Sequence, residues 1–118
     1  LRISNEEVTT FIPASGPPLG ILTGVEWIDE EAIVRPGETL LMYTDGIVEA
    51  RTVDPDEAEG REHGEYGLEG LDGVVREQIG STPQALIEAV LDDVDGYCRP
   101  LAPHDDCTMI ALKYHGHD

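Results

Sequence analysis

Leu40-Leu41-Met42-Tyr43-Thr44 is a near-continuous apolar run closed by Asp45-Gly46, and no other stretch constrains the fold of this 118-residue chain as tightly. A short apolar run bounded by turn residues is read as a buried strand. It delivers the Asp45 carboxylate to its C-terminal end, where the following glycine lets the backbone turn away. The mirror order occurs at Asp105-Asp106-Cys107-Thr108-Met109-Ile110-Ala111-Leu112, where carboxylates come just before an apolar strand that reaches about Tyr114. If these two strands are antiparallel neighbours, acids from both meet at one rim of the sheet. Parallel pairing would hold them a strand length apart, roughly 20 Å for six residues at about 3.3 Å each.

The rest of the chain supplies partners for such a sheet. Residues 8 to 13 are β-branched and aromatic and stop at the turn cluster Gly16-Pro17-Pro18-Leu19-Gly20, which predicts a strand and then a loop. Between residues 25 and 34 apolar side chains alternate imperfectly with acids, and Pro36-Gly37 then provides the φ values of a type II turn. Two strands joined by that turn are the simplest expectation. Residues 52 to 65 are acidic and lack any apolar period, which reads as a solvated loop. Leu68, Leu71, Val74, Val75 and Ile79 recur at helical spacing, with Gly80 where a C-terminal cap glycine belongs. Ser81-Thr82-Pro83-Gln84 opens a second helix, carried on by Leu86, Ile87, Val90, Leu91 and Val94. Strands, two helices and a closing strand predict an α+β fold, an antiparallel β-sheet covered by helices. A chain of this length makes one domain with one core, mostly aliphatic. Its aromatic anchors are Trp27, Phe11, Tyr43, Tyr66, Tyr97 and Tyr114.

Charge excludes several functions. With 25 acidic against 7 basic residues and a formal net charge of -18, the chain repels phosphate backbones, so nucleic-acid binding is not expected. The same field disfavours anionic membranes, and no apolar run nears the roughly 20 residues of a membrane span. Cys98 and Cys107 have neither metal-binding nor disulfide-scaffold spacing, so reduced thiols in a cytoplasmic setting are expected.

Carboxylates gathered at one sheet rim are the donors that hard cations such as Mg²⁺ and Mn²⁺ prefer. The plain alternative is that Asp-Gly after a strand marks a turn and that paired acids before a strand cap a loop. Other candidates carry less. His115 and His117 form an H-x-H pair in a terminal tail, His104 adjoins Asp105, and His63 lies in the acidic loop. A calcium loop starting at Leu91 would need side-chain ligands at Leu91 and Ala102, which have none. Asp92, Asp93 and Asp95 are therefore read as a solvated helix end.

The segments Gly16-Pro17-Pro18-Leu19-Gly20-Ile21, Val34-Arg35-Pro36-Gly37-Glu38-Thr39, Tyr43-Thr44-Asp45-Gly46-Ile47-Val48-Glu49-Ala50-Arg51, Tyr66-Gly67-Leu68-Glu69-Gly70-Leu71 and Asp105-Asp106-Cys107-Thr108 stand in one order. In that order they resemble the SpoIIE-type branch of the metal-dependent (PPM, type 2C) protein serine/threonine phosphatases of bacterial stress and sporulation signalling. The resemblance spans nearly the whole chain and corresponds to the C-terminal half of that domain, so residues 1–118 are expected to form part of an αββα sandwich. It implies that Asp45 and Asp105 ligate metal, with Asp106 as neighbouring support. It also implies two Mn²⁺ or Mg²⁺ ions in the complete domain, and a phosphorylated signalling protein such as an anti-sigma-factor antagonist as substrate. The family's G-D-V-x-G-H-G type segment, whose aspartate bridges both ions, has no counterpart here, so the chain alone is expected to be inactive. Strands missing from the sandwich would leave sheet edges exposed, which invites self-association. Two other readings stay open: a non-catalytic PPM-like protein-binding module, and an unrelated acidic domain that responds to calcium.

Overall fold

In a computed structural model the chain is described over residues 1–9, 16–53, 55–61, 64–99 and 106–117. Among the described residues the elements follow in the order β1 (Arg2–Ile3), β2 (Val8–Thr9), β3 (Thr39–Tyr43), α1 (Asp45–Val48), α2 (Pro55–Ala58), α3 (Gly67–Glu77), α4 (Pro83–Cys98) and β4 (Met109–Lys113). The strands form one antiparallel sheet in the order β2-β1-β3-β4. This is the expected α+β arrangement.

The register of β3 on β4 pairs Leu41 with Ala111 and Tyr43 with Met109. Side chains alternate across a strand. Ile3, Leu41, Tyr43, Met109 and Ala111 thus share the face on which α3 and α4 pack, together with Leu71, Val75, Leu86, Val90 and Val94. The other face carries Leu40, Met42, Ile110 and Leu112, and among the described residues no helix makes its main packing there. Met42, Ile110 and Leu112 are exposed by 42%, 56% and 50%.

Helix α3 ends before Gly80, whose φ of 89° is the left-handed conformation that glycine adopts without strain. Helix α4 starts as its sequence dictates: the Thr82 hydroxyl accepts a hydrogen bond from the Ala85 amide, and Pro83 takes the first-turn position that needs no donor. At the other turn Glu38 N donates to Arg35 O while Gly37 sits at φ 87°, as a type II turn over Pro36-Gly37 requires.

Four expectations need correction. Residues 25 to 34 form no strand, because both edges of β3 are already filled, one by β1 and the other by β4. The amide of Gly37 and the carbonyl of Glu38, where a hairpin partner would bond, instead pair with Tyr114. Trp27 is not a core anchor: it is 42% exposed and donates its indole N–H to Pro17 O. The acidic segment is not a plain loop, since it contains the helical turn α2 and is closed by a bridge between Arg51 and Glu65. Leu68 and Leu91, counted among the apolar helix positions, are exposed. The strand expected over residues 8 to 13 appears as β2 in its first two residues; Phe11 and the remainder lie outside the described residues.

Among the described residues the buried aromatics are Tyr66 and Tyr97, with ring centroids 5.5 Å apart. Arg61 from the acidic segment lies over the Tyr97 ring at 4.7 Å and donates to Tyr66 O, and Tyr97 Oη donates to Gly64 O. The segment is thereby fastened to α3 and α4. Tyr66 Oη donates to the Asp93 carboxylate, and Asp95 pairs with Arg99. Two of the three acids assigned to a solvated helix end therefore have partners, and all three lie within α4.

Candidate functional site

The antiparallel pairing of β3 with β4 sends Asp45, at the exit of β3, and Asp106, ahead of β4, to the same end of the sheet. Both residues are exposed. Asp105 lies outside the described residues, as does His104.

Hydrogen bonds between described residues join the segments there. Thr44 N donates to Thr108 O at 3.0 Å, which carries the strand ladder one residue past Tyr43. The Thr44 hydroxyl donates to Asp106 O at 3.3 Å and accepts from Thr108 N at 3.1 Å. Cys107 Sγ donates to Gly46 O at 3.3 Å. The approach is so close that a Cβ placed on Gly46 would stand 2.1 Å from Asp106 O and 2.8 Å from Asp106 C. Glycine after Asp45 is thus required for space, beyond the turning role read from the sequence. Thr44 and Cys107 were missed by sequence reasoning; a hydroxyl directly before Asp-Gly at a strand end is the signal that points to Thr44.

The site's electrostatics follow from its position. Asp45 forms no ion pair and no side-chain hydrogen bond with another described residue. Its charge is felt by Tyr43, whose phenol is pushed above its usual pKa by burial first and by Asp45 second. Burial likewise raises the thiol of Cys98, with smaller contributions from Cys107 and Asp95. Neither Cys98 nor Cys107 forms a disulfide with a described residue.

Among the described residues no group of three or more His, Cys, Asp or Glu side chains has a geometry that would hold a metal ion. His117 stacks edge-on against Tyr114 at 6.0 Å in the tail, and His63 lies outside the described residues. A cavity of about 350 Å³ lined by Arg2, Arg35 and Glu38 sits at the Pro36-Gly37 turn, at the opposite end of β3 from Asp45. Among the described residues, no helix is long and apolar enough to cross a membrane.

The family model of Stage II sporulation protein E (SpoIIE) matches residues 1–115. No curated protein and no solved structure matches the chain. A match over almost the full length, with Thr44-Asp45-Gly46 and Asp106-Cys107-Thr108 cross-linked at one sheet end, leads to one conclusion: the chain belongs to the SpoIIE family, a PPM-type phosphatase family.

Proposed function

We propose that residues 1–118 form the C-terminal part of a metal-dependent protein serine/threonine phosphatase domain, in which Asp45 and Asp105 are carboxylate ligands and Asp106 supports them. The observation that carries this reading is the pairing of Thr44 with Asp106 and Thr108, which draws two acid-bearing segments to one rim. The donor chemistry fits the group: Asp45 is an exposed carboxylate without a cationic partner among the described residues, and carboxylate oxygens suit Mn²⁺ and Mg²⁺. When bound, two such ions supply Lewis-acid activation of water and neutralise phosphoryl oxygens. The part of this chain is to present hard oxygen donors at the rim and hold them in register.

The substrate class is a phosphoserine or phosphothreonine signalling protein of the anti-sigma-factor-antagonist type, met in the cytoplasm. The G-D-V-x-G-H-G type segment has no counterpart in these 118 residues, so the chain by itself turns over phosphopeptide negligibly. The reading also includes self-association through the outer edge of β4 and the exposed face carrying Met42, Ile110 and Leu112. A monodisperse monomer in sedimentation analysis refutes that part.

The central test is thermal unfolding in increasing Mn²⁺. Ligand binding to the folded state alone raises stability by about 2.7 kcal/mol at a hundred times the dissociation constant. The midpoint of the wild-type chain rises with Mn²⁺ and falls back on chelation, while that of Asp45→Asn does not move. Equal responses from both proteins refute the metal assignment. Mn²⁺-dependent phosphopeptide turnover by the chain alone, abolished by Asp45→Asn, overturns the expectation of inactivity.

A further inference from the structure

The Thr44 hydroxyl makes two hydrogen bonds that the sheet does not need. Its backbone amide already continues the ladder to Thr108 O at 3.0 Å. The hydroxyl adds a donated bond to Asp106 O and an accepted bond from Thr108 N, spanning the residues on both sides of Cys107. Thr44 and Asp106 are exposed, where water would satisfy the same groups, so the net stability these bonds add is small. Their value is geometric. A β-branched side chain is stiff about χ1, so the hydroxyl of threonine is held in one direction and fixes the backbone on either side of Cys107 relative to Asp45. Gly46 leaves room for this approach, and Cys107 Sγ closes the same gap from the opposite segment.

We infer that Thr44 is a positioning residue for the metal site: its hydroxyl clasps the Asp106–Thr108 backbone and so holds the start of that segment in register with Asp45. The inference rests on the reading of Asp45 and its partners as metal ligands. Residues that orient a ligand, without touching the metal, typically change affinity by about 10- to 100-fold when replaced. Thr44→Val keeps the β-branched shape and loses both bonds, whereas Thr44→Ser keeps the hydroxyl.

The experiment measures Mn²⁺ binding to the full chain from the loss of the free-ion EPR signal, for wild type, Thr44→Val, Thr44→Ala, Thr44→Ser and Asp45→Asn. Thermal unfolding is measured alongside. The expected result is binding about tenfold weaker in Thr44→Val and Thr44→Ala, near wild type in Thr44→Ser and abolished in Asp45→Asn. Wild-type affinity in folded Thr44→Val or Thr44→Ala, with binding lost only in Asp45→Asn, overturns the positioning role and leaves the ligand assignment standing. A fall in unfolding midpoint without a change in affinity likewise marks Thr44 as merely structural. Should Thr44→Val fail to fold, the comparison of Thr44→Ala with Thr44→Ser decides. Wild-type binding no tighter than that of Asp45→Asn overturns the ligand assignment and this inference with it.

Discussion

Replacing Gly46 by alanine tests whether the two acid-bearing segments are truly packed backbone to backbone. An added Cβ would stand 2.1 Å from Asp106 O, 2.8 Å from Asp106 C and 3.5 Å from Cys107 N. A carbon–oxygen contact relaxes at about 3.3 Å, so the segments must part by about 1.2 Å. The obstacle is main chain, which cannot rotate aside as the end of a long side chain can. Overpacking of this kind costs about 1–3 kcal/mol. Parting also stretches the hydroxyl bonds of Thr44 at 3.3 and 3.1 Å and the Cys107 thiol bond at 3.3 Å; these are exposed or weak and add about 0.5 kcal/mol each at most. Against this, alanine in the helical turn α1 recovers up to about 1 kcal/mol of backbone propensity. The clash wins, with a net loss of about 2 kcal/mol. At about 4 °C per kcal/mol for a domain of this size, the unfolding midpoint falls by about 8 °C. Thermal and urea unfolding followed by circular dichroism measure it. A change within about 0.5 kcal/mol of wild type refutes the close approach.

Gly73→Ala and Gly96→Ala have the opposite sign: both glycines lie inside helices with nothing within 4 Å of the added Cβ, so each stabilises by about 0.5–1 kcal/mol in urea unfolding. Thr82→Ala removes the hydroxyl that accepts from Ala85 N and lowers stability by about 1 kcal/mol in the same assay. The phenol of Tyr66 is raised above its ordinary pKa by burial first and then by its hydrogen bond to, and the charge of, Asp93. A group whose folded pKa is raised contributes stability that is fully present below its unfolded value, about 10, and lost as pH rises beyond it. The wild-type midpoint therefore drops steeply above about pH 10, and Tyr66→Phe shows a shallower drop; parallel curves refute the role of Tyr66.

The elements that sequence reading found are those whose cause is local. Gly80 and Thr82 end and start helices through their own backbone and side-chain chemistry, and Pro36-Gly37 turns by its own φ values, so each was legible without the fold. Thr39–Tyr43 and Met109–Lys113 were legible because a short apolar run has few other uses. Their antiparallel pairing, on which the rim depends, was one of two options until the register was known. Residues 25 to 34 misled because their pattern is strand-like, yet a strand needs a free edge, and β3 has both of its edges taken by segments from the two ends of the chain. Trp27 misled for a related reason: a large ring is core only where a wall exists to receive it, and here it rests on Gly16 and Pro17 at the surface. Of the site, the sequence names Asp45 and Asp105 with Asp106 beside them, Asp105 lying outside the described residues, but the hydroxyl clasp of Thr44 depends on a partner far along the chain that no local pattern reveals.

That clasp ties positions 62 residues apart. Closing a loop of this length costs about 4 kcal/mol in chain entropy beyond a constant, and the last strand of the fold is what repays it. While the polypeptide is still being synthesised, β3 has no neighbour on the side that β4 will occupy, and Asp45 is a solitary acid at the tip of an unfinished ribbon. If Asp45 is a metal ligand, as proposed above, a cation meets only that one carboxylate at this stage, and the second acid-bearing segment arrives only when the C-terminal ribbon has zipped onto β3.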